Sequence, residues 1–168
     1  MLYDLLVPQM TKMLRNLDAI LVKGQAHADA KKFEMSALLE SRLAPDQFNL
    51  IRQIQIACDT MKLGVQRITG KEAPAHDDKE TTLPELRKRI QEVIAYLATI
   101  QESDFAKASE TQVTTPRWEG KWMYGNEVAI HHVIPNAYFH VTTAYAILRH
   151  NGVEIGKKDY LGEMPYKK

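Results

Sequence analysis

One cysteine, Cys58, in a chain of 168 residues excludes a disulfide framework within the chain and a zinc site built from several thiolates. Excess charge of either sign is also missing, with 22 Lys and Arg against 21 Asp and Glu. Nucleic-acid and membrane-surface proteins concentrate basic side chains on one face, so neither partner is expected. No internal repeat, low-complexity segment or domain linker breaks the chain. Residues 1–168 read as a single domain, long enough to bury a core without a metal or a disulfide. The opening Met-Leu-Tyr-Asp has no basic segment before an apolar run, so no signal peptide is read and the expected location is cytoplasmic.

The most informative absence is local. From Val128 to Leu148, 21 residues pass without Asp, Glu, Lys or Arg. A bilayer crossing needs about 20 mainly apolar residues. This stretch, however, holds His131, His132, Pro135, Asn136, His140, Thr142 and Thr143, each of which would need a partner in hydrocarbon. It reads as a buried helix of a soluble bundle.

Apolar periodicity supplies the other elements. Met10, Met13, Leu14, Leu17, Ile20 and Leu21 mark a first helix over about residues 7–30, with Pro8 in its first turn. A short amphipathic piece follows on Leu38, Leu39 and Leu43. A second long helix is expected after Pro45, capped by Asp46 and stopped by Gly70, with Phe48, Ile51, Gln55, Cys58, Met61, Val65 and Ile68 as its seam. Residues 71–81 read as a loop, where His76, Asp77 and Asp78 are expected to be solvated. Thr82 and Glu85 form a capping-box pattern ahead of a third helix on Leu86, Ile90, Val93, Ile94, Leu97 and Ile100. Residues 103–125 lose the period and read as a short hairpin or an ordered loop, carrying Trp118 and Trp122 for a partner or a neighbouring helix to cover. The fourth helix covers roughly 126–150, kinked or restarted at Pro135, with Asn151-Gly152 as its stop and His150 beside the last carbonyls. The expectation is an all-α four-helix bundle with a short irregular or hairpin insertion before the last helix.

In such a bundle the informative residues are polar ones on inward faces. His132, Asn136 and His140 lie four apart, with Thr143 three further on; Gln55 and Asp59 lie one turn apart on the second helix; His27 follows Ile20 by seven. Side chains four apart on facing helices build metal sites in bundles, and imidazole suits zinc, nickel or iron. Equally, a buried amide or imidazole satisfies a carbonyl that a proline has freed, here that of His131. Cys58, in an apolar seam, is expected to be inert. Arg42 and Arg52 are expected to pair with Asp46 or Asp59.

Two long runs carry a family likeness. One extends from Leu38-Leu39 through Arg42-Leu43-Ala44-Pro45-Asp46 and Arg52-Gln53 to Asp59. The other extends from Pro135-Asn136 through His140-Val-Thr-Thr-Ala-Tyr-Ala-Ile-Leu-Arg149 to Gly162. With them the chain resembles the DinB/YfiT-like metalloenzyme superfamily, and more narrowly a branch of it classed as a domain of unknown function. The resemblance implies an up-down-down-up bundle, often dimeric. It also implies a three-histidine metal site, with one ligand on the second helix and two on the fourth. In that register His140 takes the second ligand position of the fourth helix, Asn136 the first and Gln55 the position on the second helix; His132 is the alternative to Asn136.

Three functions follow as expectations. The preferred one is a bundle with a degenerate metal site, binding a small polar ligand with His140, Asn136, Gln55 and Asp59. The second is a metal-dependent thiol transferase or hydrolase, with zinc or nickel on His140, His132 or Asn136, and Gln55 or Asp59. The third is a structural protein that forms a homodimer. A C-terminal tail folded over the bundle mouth would account for the specific residues between Gly152 and Gly162.

Overall fold

Proline fixes φ where a helix needs no N–H donor, and at Pro8 the chain passes from a short helix, α1 (Leu2–Leu6), into the long α2 (Pro8–Lys31). The computed structural model describes residues 1–167. Next come α3 (Met35–Leu39), α4 (Leu50–Thr69) and α5 (Leu83–Leu97). A minimal antiparallel hairpin, β1 (Gln112–Val113) and β2 (Met123–Tyr124), sets Gln112 opposite Tyr124 and Val113 opposite Met123. Then follow α6 (Gly125–Val128), a π-helical turn (Ala129–Val133), α7 (Ile134–His150) and α8 (Lys157–Leu161).

The fold is mostly helical, and α2, α4, α5 and α7 share one core. Leu14, Leu17 and Leu21 of α2 meet the layer formed by Ile54, Met61 and Val65 of α4, Leu86 and Ile90 of α5, and Val141 and Leu148 of α7, all fully buried or nearly so. Polar pairs fix which turns meet. Arg87 of α5 grips Asp18 of α2 through two hydrogen bonds of 2.6 and 3.1 Å. Gln9 donates to Tyr138 Oη between α2 and α7, at 2.7 Å.

Several boundaries differ from the sequence reading. Asn49, not Asp46, caps α4, its Oδ1 accepting from the Arg52 N–H at 3.1 Å. Phe48 therefore lies outside the helix and is exposed, not in the seam. Met35, rather than the exposed Leu43, completes the buried side of α3. The expected box at Thr82 and Glu85 is present, the Glu85 carboxylate accepting from Thr82 N–H and Oγ–H. At the end of α7 it is the Asn151 amide that meets a last-turn carbonyl, that of Ile147, while His150 is exposed. The tail does fold back, along α2 and α7: Asn16 donates to the Tyr160 carbonyl, Lys23 pairs with Asp159, and Thr142 bonds Tyr160 Oη. No helix among the described residues is long and apolar enough to cross a membrane.

The π turn is the chain's answer to Pro135. A proline cannot donate to the carbonyl four residues back, and its ring crowds that carbonyl. Widening the turn just before it absorbs both problems without a break, and leaves Pro135 second in α7. Facing this turn is Gly64 of α4. A Cβ there would lie 2.6 and 2.8 Å from the two methyls of Val133, so only glycine permits this approach. Gly64→Ala should lower stability by about 1–2 kcal/mol in thermal or denaturant unfolding, despite a helix-propensity gain of up to about 1 kcal/mol. Val133→Ala should rescue part of that loss; strictly additive effects would sink the steric account.

Candidate functional site

The expected site residues fall into two places, on opposite flanks of α4. On the side facing α7, His140 is buried, 7% exposed, with Nδ1 at 2.7 Å from Gln53 Oε1. Gln53 Nε2 donates to the Phe48 carbonyl at 3.0 Å, which turns its oxygen toward the imidazole. An amide oxygen only accepts, so His140 Nδ1 carries the proton. Burial first, and the charge of Arg52 second, lower the His140 pKa to about 4. The ring is thus neutral near pH 7, with its lone pair on Nε2. That nitrogen has no hydrogen-bond partner among the described residues and is not sealed from solvent. The Phe139 ring stands edge-on to His140, centroids 5.1 Å apart.

One turn back, Asn136 donates to Thr60 Oγ1 of α4 at 2.7 Å. With His131, His132, Pro135 and Phe139 it lines an open cleft of about 350 Å³. His132 does not share the inward face of Asn136 and His140: the π turn carries it toward Trp118, ring centroids 5.7 Å apart. Burial and then the Arg67 charge lower the His132 pKa. Trp118 is thus covered by its own chain, whereas Trp122 is exposed beside Tyr124. His27 is half-buried against Phe33, near Gly152.

Gln55 and Asp59 belong to the other place, where α4 meets α5. At its centre is Arg89, 1% exposed. Its guanidinium donates to Asp59 at 2.7 Å, Asp78 at 2.7 Å, Glu80 at 3.0 and 3.1 Å and the Gln55 carbonyl at 3.3 Å. Gln55 bridges Glu80 (3.0 Å) and Arg52 (3.1 Å), and Arg52 also holds Asp78. The predicted pairing of Arg52 with Asp46 or Asp59 is therefore replaced by Asp78, a residue of the 71–81 segment, and Arg42 donates to the Gln47 carbonyl. His76, expected to be solvated, has a side chain only 8% exposed, held between Lys62 and Glu92.

Electrostatics follow from this arrangement. Burial pushes the Asp78 and Glu80 carboxyls up. Hydrogen bonds outweigh it and leave both lowered, from Arg52 and Arg89 at Asp78, and from its own backbone and Arg89 at Glu80. Burial would lower the Arg89 pKa, yet Asp78, Asp59 and Glu80 raise it overall. Cys58 is sealed, and burial pushes its thiol up to about 12, which removes it as a nucleophile.

A metal of the kind the resemblance implies finds a poor donor set. His140 alone of the expected histidines faces inward, His132 being turned to Trp118, while Asn136 donates to Thr60 and Gln55 is turned away toward Glu80 and Arg52. Among the described residues no three His, Cys, Asp or Glu side chains are grouped to hold an ion. These residues do not fit a zinc or nickel centre.

Sequence reasoning missed Gln53, Thr60, Lys62 and Arg89. Arg89 had a signal: it interrupts the stripe of Leu86, Ile90 and Val93, and a cation there demands carboxylates. Gln53 and Thr60 lie seven apart on the face of α4 that meets α7, but the choice between Gln53 and Gln55 needed the helix rotation.

The family is defined by comparison. A model described as a domain of unknown function, DUF1993, matches residues 2–161, and the chain belongs to that family. Its relation to DinB proteins is close: a crystal structure of a DinB family member protein from Shewanella denitrificans is 64% identical, with a TM-score of 0.97, covering 100% of this chain and 96% of that one. No functionally curated protein matches the sequence.

Removing Arg89 tests the network. Arg89→Met leaves three carboxylates without their shared cation and should cost about 3 kcal/mol or more in denaturant unfolding. Lowered carboxyl pKa values give stability that is present above the unfolded values and lost as pH falls through the folded ones. Acid unfolding of the wild type should therefore steepen below about pH 4, and Arg89→Met should flatten that slope. An unchanged slope would show that Asp78 and Glu80 draw nothing from Arg89.

Proposed function

We propose that this protein is a DinB-like four-helix bundle of up-down-down-up topology that binds a small polar molecule at the degenerate metal site between α4 and α7. Cross-helix pairs support the topology. Gln53 meets His140 while Thr60 meets Asn136, so α4 and α7 run oppositely. Asp59 meets Arg89 and the Lys71 carbonyl meets Tyr96, so α4 and α5 run together. Gln9 bonds Tyr138 while Gly24 packs on Leu148, so α2 runs with α7.

The observation that carries the binding reading is the unpartnered Nε2 of His140. Gln53 holds the ring by Nδ1, and a neutral imidazole so fixed offers one directional acceptor, next to Phe139 and one turn from Asn136, both of which line the cleft that His140 itself does not line. The ligand supplies a hydroxyl or N–H donor to Nε2, with the Asn136 carbonyl oxygen as a second acceptor. Gln55 and Asp59, committed to the Arg89 network, leave the ligand set to His140 and Asn136.

A thermal-shift and native mass-spectrometry screen of small hydroxyl- and amide-bearing metabolites tests this. A ligand should bind the wild type and bind His140→Phe at least about tenfold more weakly, the worth of one buried hydrogen bond. No ligand at all, or equal binding by the variant, would sink it. Elemental analysis of protein purified without chelator should find well under about one metal per chain. Stoichiometric metal lost in His140→Ala would favour the thiol transferase or hydrolase reading instead.

Homodimer formation has its own support. The solvent side of the uncharged stretch exposes Ile130 and Phe139, at 57% and 56%, together with Pro135. A two-fold axis sets identical residues near one another, and a strip without charge tolerates that best. Phe139→Lys should turn a dimer into a monomer in light scattering; a wild type monomeric at high concentration would refute the dimer.

A further inference from the structure

Both tryptophans of the chain line one cavity, in the connection between β1 and β2. Trp118 and Trp122 enclose about 500 Å³ there together with Arg117, Glu119, Lys121 and Met123. That volume lies within the range of small-molecule pockets, about 300–1,000 Å³. Hydrogen bonds shape the connection in advance of any ligand. Trp118 N–H donates to the Thr115 carbonyl at 3.0 Å, Lys121 N–H to the Trp118 carbonyl at 2.9 Å, and Thr114 Oγ–H to the Lys121 carbonyl at 2.7 Å. Glu119 and Gly120 both take the left-handed backbone, φ 52° and 84°, and so reverse the chain between the two rings. Each ring is braced by an aromatic neighbour, Trp118 by His132 and Trp122 by Tyr124, with centroids 5.7 and 5.0 Å apart. The charges of the lining do not cancel. Arg117 and Lys121 have no carboxylate partner among the described residues, and Glu119 is the single acid of the cavity.

We propose that this cavity binds a small planar aromatic anion, its ring on Trp118 and Trp122 and its acidic group on Arg117 and Lys121. Indole faces stack on flat π-systems of many kinds, so the rings select for planarity rather than for one molecule. A guanidinium grips a carboxylate or phosphate through paired N–H donors, and an ammonium adds a point charge. A cation of the kind that tryptophan cages hold would meet two positive charges here. A neutral ring would leave both of them without a counter-charge. Met123, unbranched and flexible, lets the lining adapt to rings of different size. No residue is shared with the cleft beside Asn136, so binding here does not depend on His140.

Because no tryptophan lies elsewhere in the chain, tryptophan emission of the full-length protein reports on the cavity directly. Adenosine monophosphate and naphthoate serve as probes, a phosphate and a carboxylate on flat rings, with titration calorimetry as the second readout. At least one should shift the emission saturably and bind at least about tenfold more tightly than its uncharged counterpart, adenosine or naphthamide. The preferred probe tells whether the acidic group is a phosphate or a carboxylate. Trp122→Ala and Arg117→Gln should each weaken that probe about tenfold in calorimetry. Both side chains are exposed, so these variants should keep the wild-type thermal midpoint. His140→Phe should bind the probe as the wild type does. Several results would overturn the proposal: no saturable binding of either probe at millimolar concentration, equal binding of the uncharged counterpart, or tighter binding of tetramethylammonium. Unchanged affinity in either cavity variant would do the same.

Discussion

A guanidinium buried without counter-charges would cost more than a fold of this size has to spare, and Arg89 is almost wholly out of water. Its position in the apolar stripe of α5 forces carboxylates to come to it. Asp59 comes from α4, and Asp78 and Glu80 from the 71–81 segment. One desolvated cation thereby fixes the spacing of two core helices and the path of a segment with no regular structure. Gln55 and Arg52 are drawn into the same network. The constraint reaches as far as the other flank of α4, where the Arg52 charge helps to keep His140 neutral.

The seam between α4 and α7 obeys a steric constraint rather than an electrostatic one. Gly64 lets the π turn come close, and the π turn exists because Pro135 cannot complete an ordinary one. Its extra width rotates everything before it relative to α7. His132 is carried to Trp118, while Asn136 and His140 keep their face toward Thr60 and Gln53. A metal site needs three strong donors converging within one turn or so. Here the same geometry leaves one imidazole among amides and hydroxyls, an arrangement suited to hydrogen bonding.

The four long helices were legible because burial repeats every three to four residues along each of them, and Pro8, Gly70, Glu85 and Gly152 punctuate them locally. The inward position of His140 was legible too, from its place in an uncharged stretch whose neighbours four residues apart are polar. The cap at Asn49 was missed because Asp46, Asn49 and the intervening turn offer similar local chemistry, and only the path from α3 selects between them. His76 was misread because a histidine among acidic residues in a non-periodic segment looks solvated unless the buried lysine beneath it is known.

The amino-acid sequence by itself determined the helical class, the core faces, the family likeness and the inward face that carries His140, since each rests on spacing along the chain. Tertiary structure alone decided the partners. Gln53 rather than Gln55 meets His140, Arg89 collects Asp59, and Lys62 fastens His76. These depend on how far each helix is rotated about its axis. That rotation is set by packing across the core at Gly64, Val133 and Arg89, where a residue's neighbours come from distant parts of the chain.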